Sequence, residues 1–373
     1  MNRKPSLMET KHRNKVNIVK YIYKKGETSK QEIARELGLS MPTVLQNVKE
    51  LLEKGIVTET GKYQSTGGRK AGVLSLSKGH KYAVGMDITK NHISMVLVDT
   101  SGTVSVYKRT KCSYEDTVNY YERLGAELDD FLEEYHIDKT KVLGAGLSIP
   151  GIVDTANSVL LRTHVFRVSN LSLKKFSQFL KYETAFSNDA NSAAYAELKE
   201  AEKNSIYLSL SNTVGGAVYI QDEIYRGDNF KSAEFGHMIL KPGGRTCYCG
   251  KKGCMDAYCS ALTLSQYTDD NLDLFFRKLE EGDKTCVTAW KEYIHNLAIA
   301  ISNLRMAFDC DIILGGYLGG YLEEYLAELG SAVMDYNNFD IDSTYIKSTR
   351  YKKEAAAVGA GIQFIEKYFD SLD

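Results

Sequence analysis

"GHMILKPGGRTCYCGKKGC", residues 236–254, places three cysteines within eight positions and a histidine ten positions ahead of the first. The opening residues, MNRKPSLMETKHRNK, carry no apolar core of the kind a secretory signal needs, and nowhere do 18 apolar residues run together. A cytoplasmic location with no membrane partner is therefore expected, with reduced thiols, and that turns a tight cysteine cluster toward metal rather than disulfides. One imidazole, His237, and three thiolates, Cys247, Cys249 and Cys254, match the four tetrahedral N/S ligands that zinc prefers, and the interspersed glycines let the loop fold back on itself. A Cys247–Cys249 disulfide would be strained, and three cysteines cannot all pair. A closed, structural Zn2+ site is expected. Cys112, Cys259, Cys286 and Cys310 lack this spacing and read as buried or semi-buried thiols.

The chain around this loop is 373 residues long, 43% apolar and 25% charged, which suits a soluble protein of two or three domains. Its net charge of −1 conceals a division. Residues 1–80 hold 16 Lys and Arg against seven Glu and no Asp, whereas the remainder holds 31 cations against 41 acids. A basic head on an acidic body points to a nucleic-acid-binding module joined to something that binds another ligand.

The head, NKVNIVKYIYKKGETSKQEIARELGLSMPTVLQNVKELLEKGIV, reads as three helices. Ser29 with Glu32 forms a capping box for the second, and Ser40 caps a third in which Val44, Leu45, Val48, Leu51 and Leu52 recur at helical spacing. That leaves Thr43, Gln46 and Asn47 facing outward near its start, where a helix-turn-helix reads base edges; a three-helix protein-interaction domain is the alternative. Two strands, IVTET and GVLSLS, then flank the tip GKYQSTGGRKA, the wing of a winged helix. Gly67 and Gly68 precede Arg69 and Lys70, cations suited to a narrow A/T-rich minor groove, though a solvated hairpin tip is the plainer reading.

From Tyr82 the pattern becomes α/β: three strands, a helix through TVNYYERLGAELDDFLEEY, a buried strand VLGAGLSIPGIVD, and a second sheet beginning at SIYLSLSNTVGG. Two lobes with a cleft between them are implied.

Residues 82–369 resemble the ROK family of repressors, open reading frames and kinases, on the strength of Gly236-His237 followed by Cys247, Cys249, Gly250, Gly253 and Cys254. The resemblance implies an actin-like or hexokinase-like two-lobed domain: residues 81–195 as one lobe, completed by a C-terminal helix over 354–369, and 196–353 as the other, preceded by the winged helix-turn-helix of residues 1–80. It also implies sugar contacts from Asn188, Asp189, Glu234, His237 and Asp256, the last where a glutamate is expected. In the family's kinases the residue matched by Asp189 is the general base.

Two departures weigh against a kinase. The turn Asp87-Ile88-Thr89-Lys90-Asn91-His92 has no glycine where phosphate-binding N–H groups must approach unobstructed, and LSNTVGGAV has Ser211, Thr213 and Ala217 where the kinases usually carry glycine. Joined to the winged head, with its STGGRK wing, the chain resembles the sugar-responsive repressors of the family. The resulting expectation is a non-enzymatic regulator, a homodimer or tetramer, that binds a pseudo-palindromic double-stranded DNA operator and responds to a sugar or sugar phosphate. A ROK-type ATP-dependent sugar kinase with a DNA-binding head and a zinc-sensing regulator are the alternatives.

Overall fold

The computed structural model of the protein describes residues 7–62, 72–198, 203–351 and 353–372. In the head, helices Leu7–Lys25, Lys30–Glu36 and Met41–Glu53 pack over a three-stranded sheet in which Gly72–Leu76 lies between Glu27–Thr28 and Val57–Lys62. The two long strands pair antiparallel, Thr58 opposite Ser75. The wing tip, with Gly67, Gly68, Arg69 and Lys70, lies outside the described residues. Ser29 Oγ accepts from Glu32 N at 3.2 Å and Ser40 Oγ from Thr43 N at 3.4 Å, so both caps form. The Glu32 carboxylate does not complete a box; it accepts instead from Thr28 and Tyr21.

The third helix corrects the expectation for two residues. Asn47 does not face outward: it is 2% exposed, its Nδ2 donating to Thr43 O at 2.8 Å and its Oδ1 without a partner among the described residues. Leu45 is the exposed residue, at 49%. Asn47 stands three positions after Val44 and four before Leu51, inside the buried stripe, whereas Leu45 falls about 100° off it. Gln46 is exposed and Thr43 half-buried, its hydroxyl 2.8 Å from that of Ser40.

Two five-stranded sheets form the body. In the first, Thr184–Asn188, Val142–Ile149 and Tyr82–Ile88 run parallel, followed by His92–Asp99 and Val104–Lys111 as antiparallel neighbours. In the second, Ser205–Leu210 pairs parallel with Asp311–Gly315, which pairs parallel with Ile346–Ser348; Val214–Ile220 and Glu223–Tyr225 complete the other edge. The long helix Lys284–Phe308 buries its apolar face in the core beside this second sheet. No helix among the described residues is long and apolar enough to cross a membrane.

The helix Ala355–Asp370 joins the parts. Its N-terminal half lies on the first sheet so closely that a Cβ on Gly85 would stand 1.7 Å from Ala357 O, and it crosses helix Asp189–Leu198 where a Cβ on Gly359 would stand 1.7 Å from Ser192 O. Its C-terminal half enters the head: Phe364, Ile365, Phe369 and Leu372 share one apolar cluster with Ile18, Ile22, Val48 and Leu74. Tyr23 meets Phe369 edge to face at 5.3 Å, Lys20 pairs with Asp370, and His12 Nδ1 lies 2.8 Å from Leu372 O.

Gly85→Ala should therefore destabilise the protein by about 2 kcal/mol or more, because the helix backbone at Ala357 and Gly361 leaves the methyl group no room. Thermal unfolding checks this, and an unchanged midpoint would show that the helix is not seated against Gly85.

Candidate ligand cleft and metal centre

Parallel strands of both sheets direct their carboxyl ends toward one cleft of about 560 Å³, a size suited to a small ligand. Strand Thr184–Asn188 ends on Asn188, and Asp189 opens the helix that follows. Asn188 is structurally engaged: Oδ1 caps Asn191 N at 3.0 Å, while Nδ2 donates to Gly151 O at 2.9 Å and to Asp189 Oδ1 at 3.0 Å. It thereby ties the SIPG turn to the helix start and aims the carboxyl of Asp189. Asp189 lines the cleft, and burial raises its carboxyl above the ordinary range.

Behind it, Asp87 accepts from Ser148 Oγ at 2.8 Å, and burial, then the charge of Asp189, push its carboxyl up to about 7. Glu234, in the loop that follows strand Glu223–Tyr225, also lines the cleft; burial, then the charge of Asp189, raise its carboxyl as well.

Asp256 is placed differently from the expectation. It is 5% exposed, absent from the cleft wall, and its Oδ1 accepts from Val214 N at 2.6 Å; burial raises its carboxyl to about 6. Its position at the start of the short helix Asp256–Cys259 turns it onto the strand Val214–Ile220 rather than into the ligand space.

His237 lies between cleft and metal loop. Nδ1 stands 3.9 Å from Cys247 Sγ, and Cys249 and Cys254 are 3.8 Å apart, all four donor atoms within 4.8 Å of one another. Ligand bonds of about 2.3 Å in a tetrahedron give edges of about 3.8 Å, so the cluster fits a zinc-sized ion. Gly250 and Gly253, both at φ 84°, turn the loop back, and a Cβ on Gly253 would stand 2.0 Å from Lys241 O. Burial pushes the Cys247 thiol up to about 12, so a thiolate there calls for a cation beside it. Cys112, Cys259, Cys286 and Cys310 are buried away from the cluster.

The other imidazole nitrogen, Nε2, faces Tyr248 Oη at 3.2 Å, and His164 packs edge-on against both rings. His237, Tyr248 and His164 all line the cleft side by side. Sequence reasoning missed Tyr248, although a residue between two ligands of a Cys-x-Cys pair is held by both. On the far side, Thr89 and His92 close the turn after Asp87 upon each other, and Arg109 Nη2 reaches Tyr317 Oη at 3.4 Å across the lobes. The N–H groups of Gly316 and Tyr317 donate to Tyr207 Oη and Ser211 Oγ.

Comparison with known proteins matches residues 83–367 to the ROK family and residues 11–58 to winged helix-turn-helix DNA-binding. The chain belongs to the ROK family. It is 29% identical over 373 residues to the xylose repressor of Bacillus spizizenii, covering 96% of each chain. Against the DNA-binding transcriptional dual regulator NagC of Escherichia coli K12, identity is 22% over 261 residues, 69% of this chain and 64% of that one. Among solved structures, a ROK family transcriptional regulator homologous to the E. coli MLC protein superposes with a TM-score of 0.73 at 18% identity, over 97% of both chains. A ROK glucokinase from Streptomyces griseus, solved with glucose and AMPPNP, gives 0.62 at 21% over 76% of this chain and 98% of that one. Regulator and kinase members thus share this ROK fold.

The raised Asp87 carboxyl sets a pH dependence. A group protonated more readily in the folded than in the unfolded state stabilises fully at low pH, and the contribution disappears as pH climbs toward and through 7. Asp87→Asn, which keeps an acceptor for Ser148, should lose less thermal stability than the parent between pH 5 and 8; equal losses would mean that Asp87 does not titrate there.

Proposed function

We propose that this chain is a DNA-binding transcriptional repressor of carbohydrate-utilisation genes whose operator affinity changes when a sugar occupies the cleft. The observation that carries the reading is the shared helix: Ala355–Asp370 touches the helix that begins at Asp189 and also completes the apolar core of the winged head. Residues 1–80 are the DNA-reading unit, residues 81–195 with 354–369 one lobe and 196–353 the other. Thr43, Gln46, Arg69 and Lys70 face DNA, the last two from the wing. Two copies, each reading half of a pseudo-palindromic operator, form the working unit, in the cytoplasm.

Carboxylates suit a sugar because each accepts from two neighbouring hydroxyls, and Asp189 and Glu234 both line the cleft. Closure on a ligand moves the helix behind Asp189, and Gly359 against Ser192 passes that displacement to the shared helix and so to the head. A coupling of about 1 to 3 kcal/mol between sugar and operator is a 5- to 150-fold switch.

The ligand set His237, Cys247, Cys249 and Cys254 holds zinc, which when bound supplies a closed four-coordinate anchor for the loop that carries Tyr248. The glycine-free turn after Asp87, and the engagement of the Gly316 and Tyr317 N–H groups by side chains, support a scaffold without phosphate transfer, since such chemistry needs open N–H donors.

Glu234→Gln should abolish sugar-dependent release in an operator gel-shift while leaving affinity without sugar within about twofold. Collapse of DNA binding would make Glu234 structural, and sugar-dependent ADP formation that vanishes in Asp189→Asn would establish a kinase. Elemental analysis should find one zinc per chain, retained against a mild chelator until the protein unfolds. Operator affinity that tracked free zinc would instead indicate a metal sensor.

A further inference from the structure

Tyr248 stands between two thiol ligands of the metal loop, and the same loop places it on the cleft wall. Its backbone is tightly held there: Cys247 N donates to Lys251 O at 2.8 Å and Gly250 N to Cys247 O at 2.9 Å. The ring is braced as well, with its centroid 5.4 Å from that of the His237 imidazole and 5.7 Å from that of His164, the residue that follows strand Val159–Thr163. Even so, Tyr248 is 49% exposed, so a fixed phenol is presented to the ligand space.

The role of its hydroxyl follows from His237. Nδ1 is the nitrogen turned toward the thiols, 3.9 Å from Cys247 Sγ, and with that lone pair given to a cation the single ring proton of a neutral imidazole is on Nε2. Nε2–H then donates to Tyr248 Oη, 3.2 Å away. An oxygen that accepts from this histidine keeps its own proton for another acceptor, and among the described residues Tyr248 Oη has no further hydrogen-bond partner. The other polar groups expected here are committed. The one N–H of His237 is spent on the phenol, both amide hydrogens of Asn188 go to Gly151 and Asp189, and Asp256 is withdrawn onto Val214 N. Ionised, Asp189 and Glu234 only accept.

We infer that Tyr248 is the residue through which the metal loop reads the ligand, its hydroxyl donating to one oxygen of a sugar in place of a direct contact from His237 or Asp256. The inference rests on the sugar reading of the cleft and deepens it. A sugar hydroxyl both donates and accepts, so one that gives its proton to Asp189 or Glu234 still has lone pairs for the phenol. A ligand lacking that oxygen leaves the phenol proton without a partner in the closed cleft, which costs more than the bond itself. Tyr248 thereby sets which position of the sugar must carry oxygen.

The test is isothermal titration of the full-length protein and of Tyr248→Phe, which keeps the ring and removes only the hydroxyl. Xylose, glucose and N-acetylglucosamine are titrated first, and the tightest of them is then compared with its anhydro and monodeoxy analogues, each missing one oxygen. Tyr248→Phe should bind the parent sugar roughly three- to tenfold more weakly, as expected for one neutral hydrogen bond. It should also bind one analogue, and only one, as well as the unaltered protein does, because there the lost oxygen and the lost hydroxyl are the two ends of the same bond. Zinc content should be equal in the two proteins. The inference is overturned if Tyr248→Phe binds the parent sugar undiminished, if it weakens the sugar and every analogue by one common factor, as a merely structural wall would, or if the variant loses its metal. Failure of all three sugars to bind the unaltered protein would sink the sugar reading itself.

Discussion

The seating of one helix backbone on a sheet without side chains in between governs the rest of the molecule. Ala357 O over Gly85 and Ser192 O against Gly359 are approaches that only a missing Cβ permits. They bring helix Ala355–Asp370 close enough to the first sheet, and to the helix behind Asp189, for the three to move as one body. Interiors packed at this density transmit displacement rather than absorb it. The same helix then supplies aromatic and aliphatic side chains to the head, so the apolar core of the head and the helix that begins at Asp189 both rest on one element.

The cleft follows from strand direction. Strands of two sheets end on it, which collects Asp87, Ser148, Asn188 and Asp189 from distant parts of the sequence at one place. Three of the four are engaged internally: Ser148 with Asp87, and Asn188 with Gly151, Asp189 and Asn191. That leaves Asp189 as the carboxyl of this group that meets the open space. His237 is shared in another sense, with one nitrogen toward the thiols and the other toward Tyr248, so the shape of the metal loop and that of the cleft wall are not independent.

Features carried by local spacing were legible in the sequence. The caps Ser29 and Ser40, the three strands that follow Tyr82 and the convergence of His237 with Cys247, Cys249 and Cys254 each involve residues at most a few turns of chain apart. What depends on facing angle or on a distant partner was not. Leu45 and Asn47 exchange places because hydrophobicity was read ahead of helical phase, and Asn47 lies on the phase of Val44 and Leu51. Asp256 turns toward Val214, 42 residues away. The meeting of Arg226 with Thr155, or of Arg109 with Tyr317, leaves no trace in spacing at all. The close-packed glycines were visible as letters, but which backbone they admit is a tertiary fact.

The head's dependence on Phe364, Ile365, Phe369 and Leu372 also bears on how the protein is made. About 290 residues separate Leu76 from Phe364, and at ribosomal speeds of about 5 to 20 residues per second they take roughly 15 to 60 s to emerge. During that interval the three N-terminal helices have no partner for part of their apolar surface. A nascent or prematurely terminated chain therefore exposes an unfinished head, and the competence to grip an operator arrives only once the intervening body has been synthesised and its closing helix has docked. Quality control of the DNA-binding surface is in this way built into the order of synthesis.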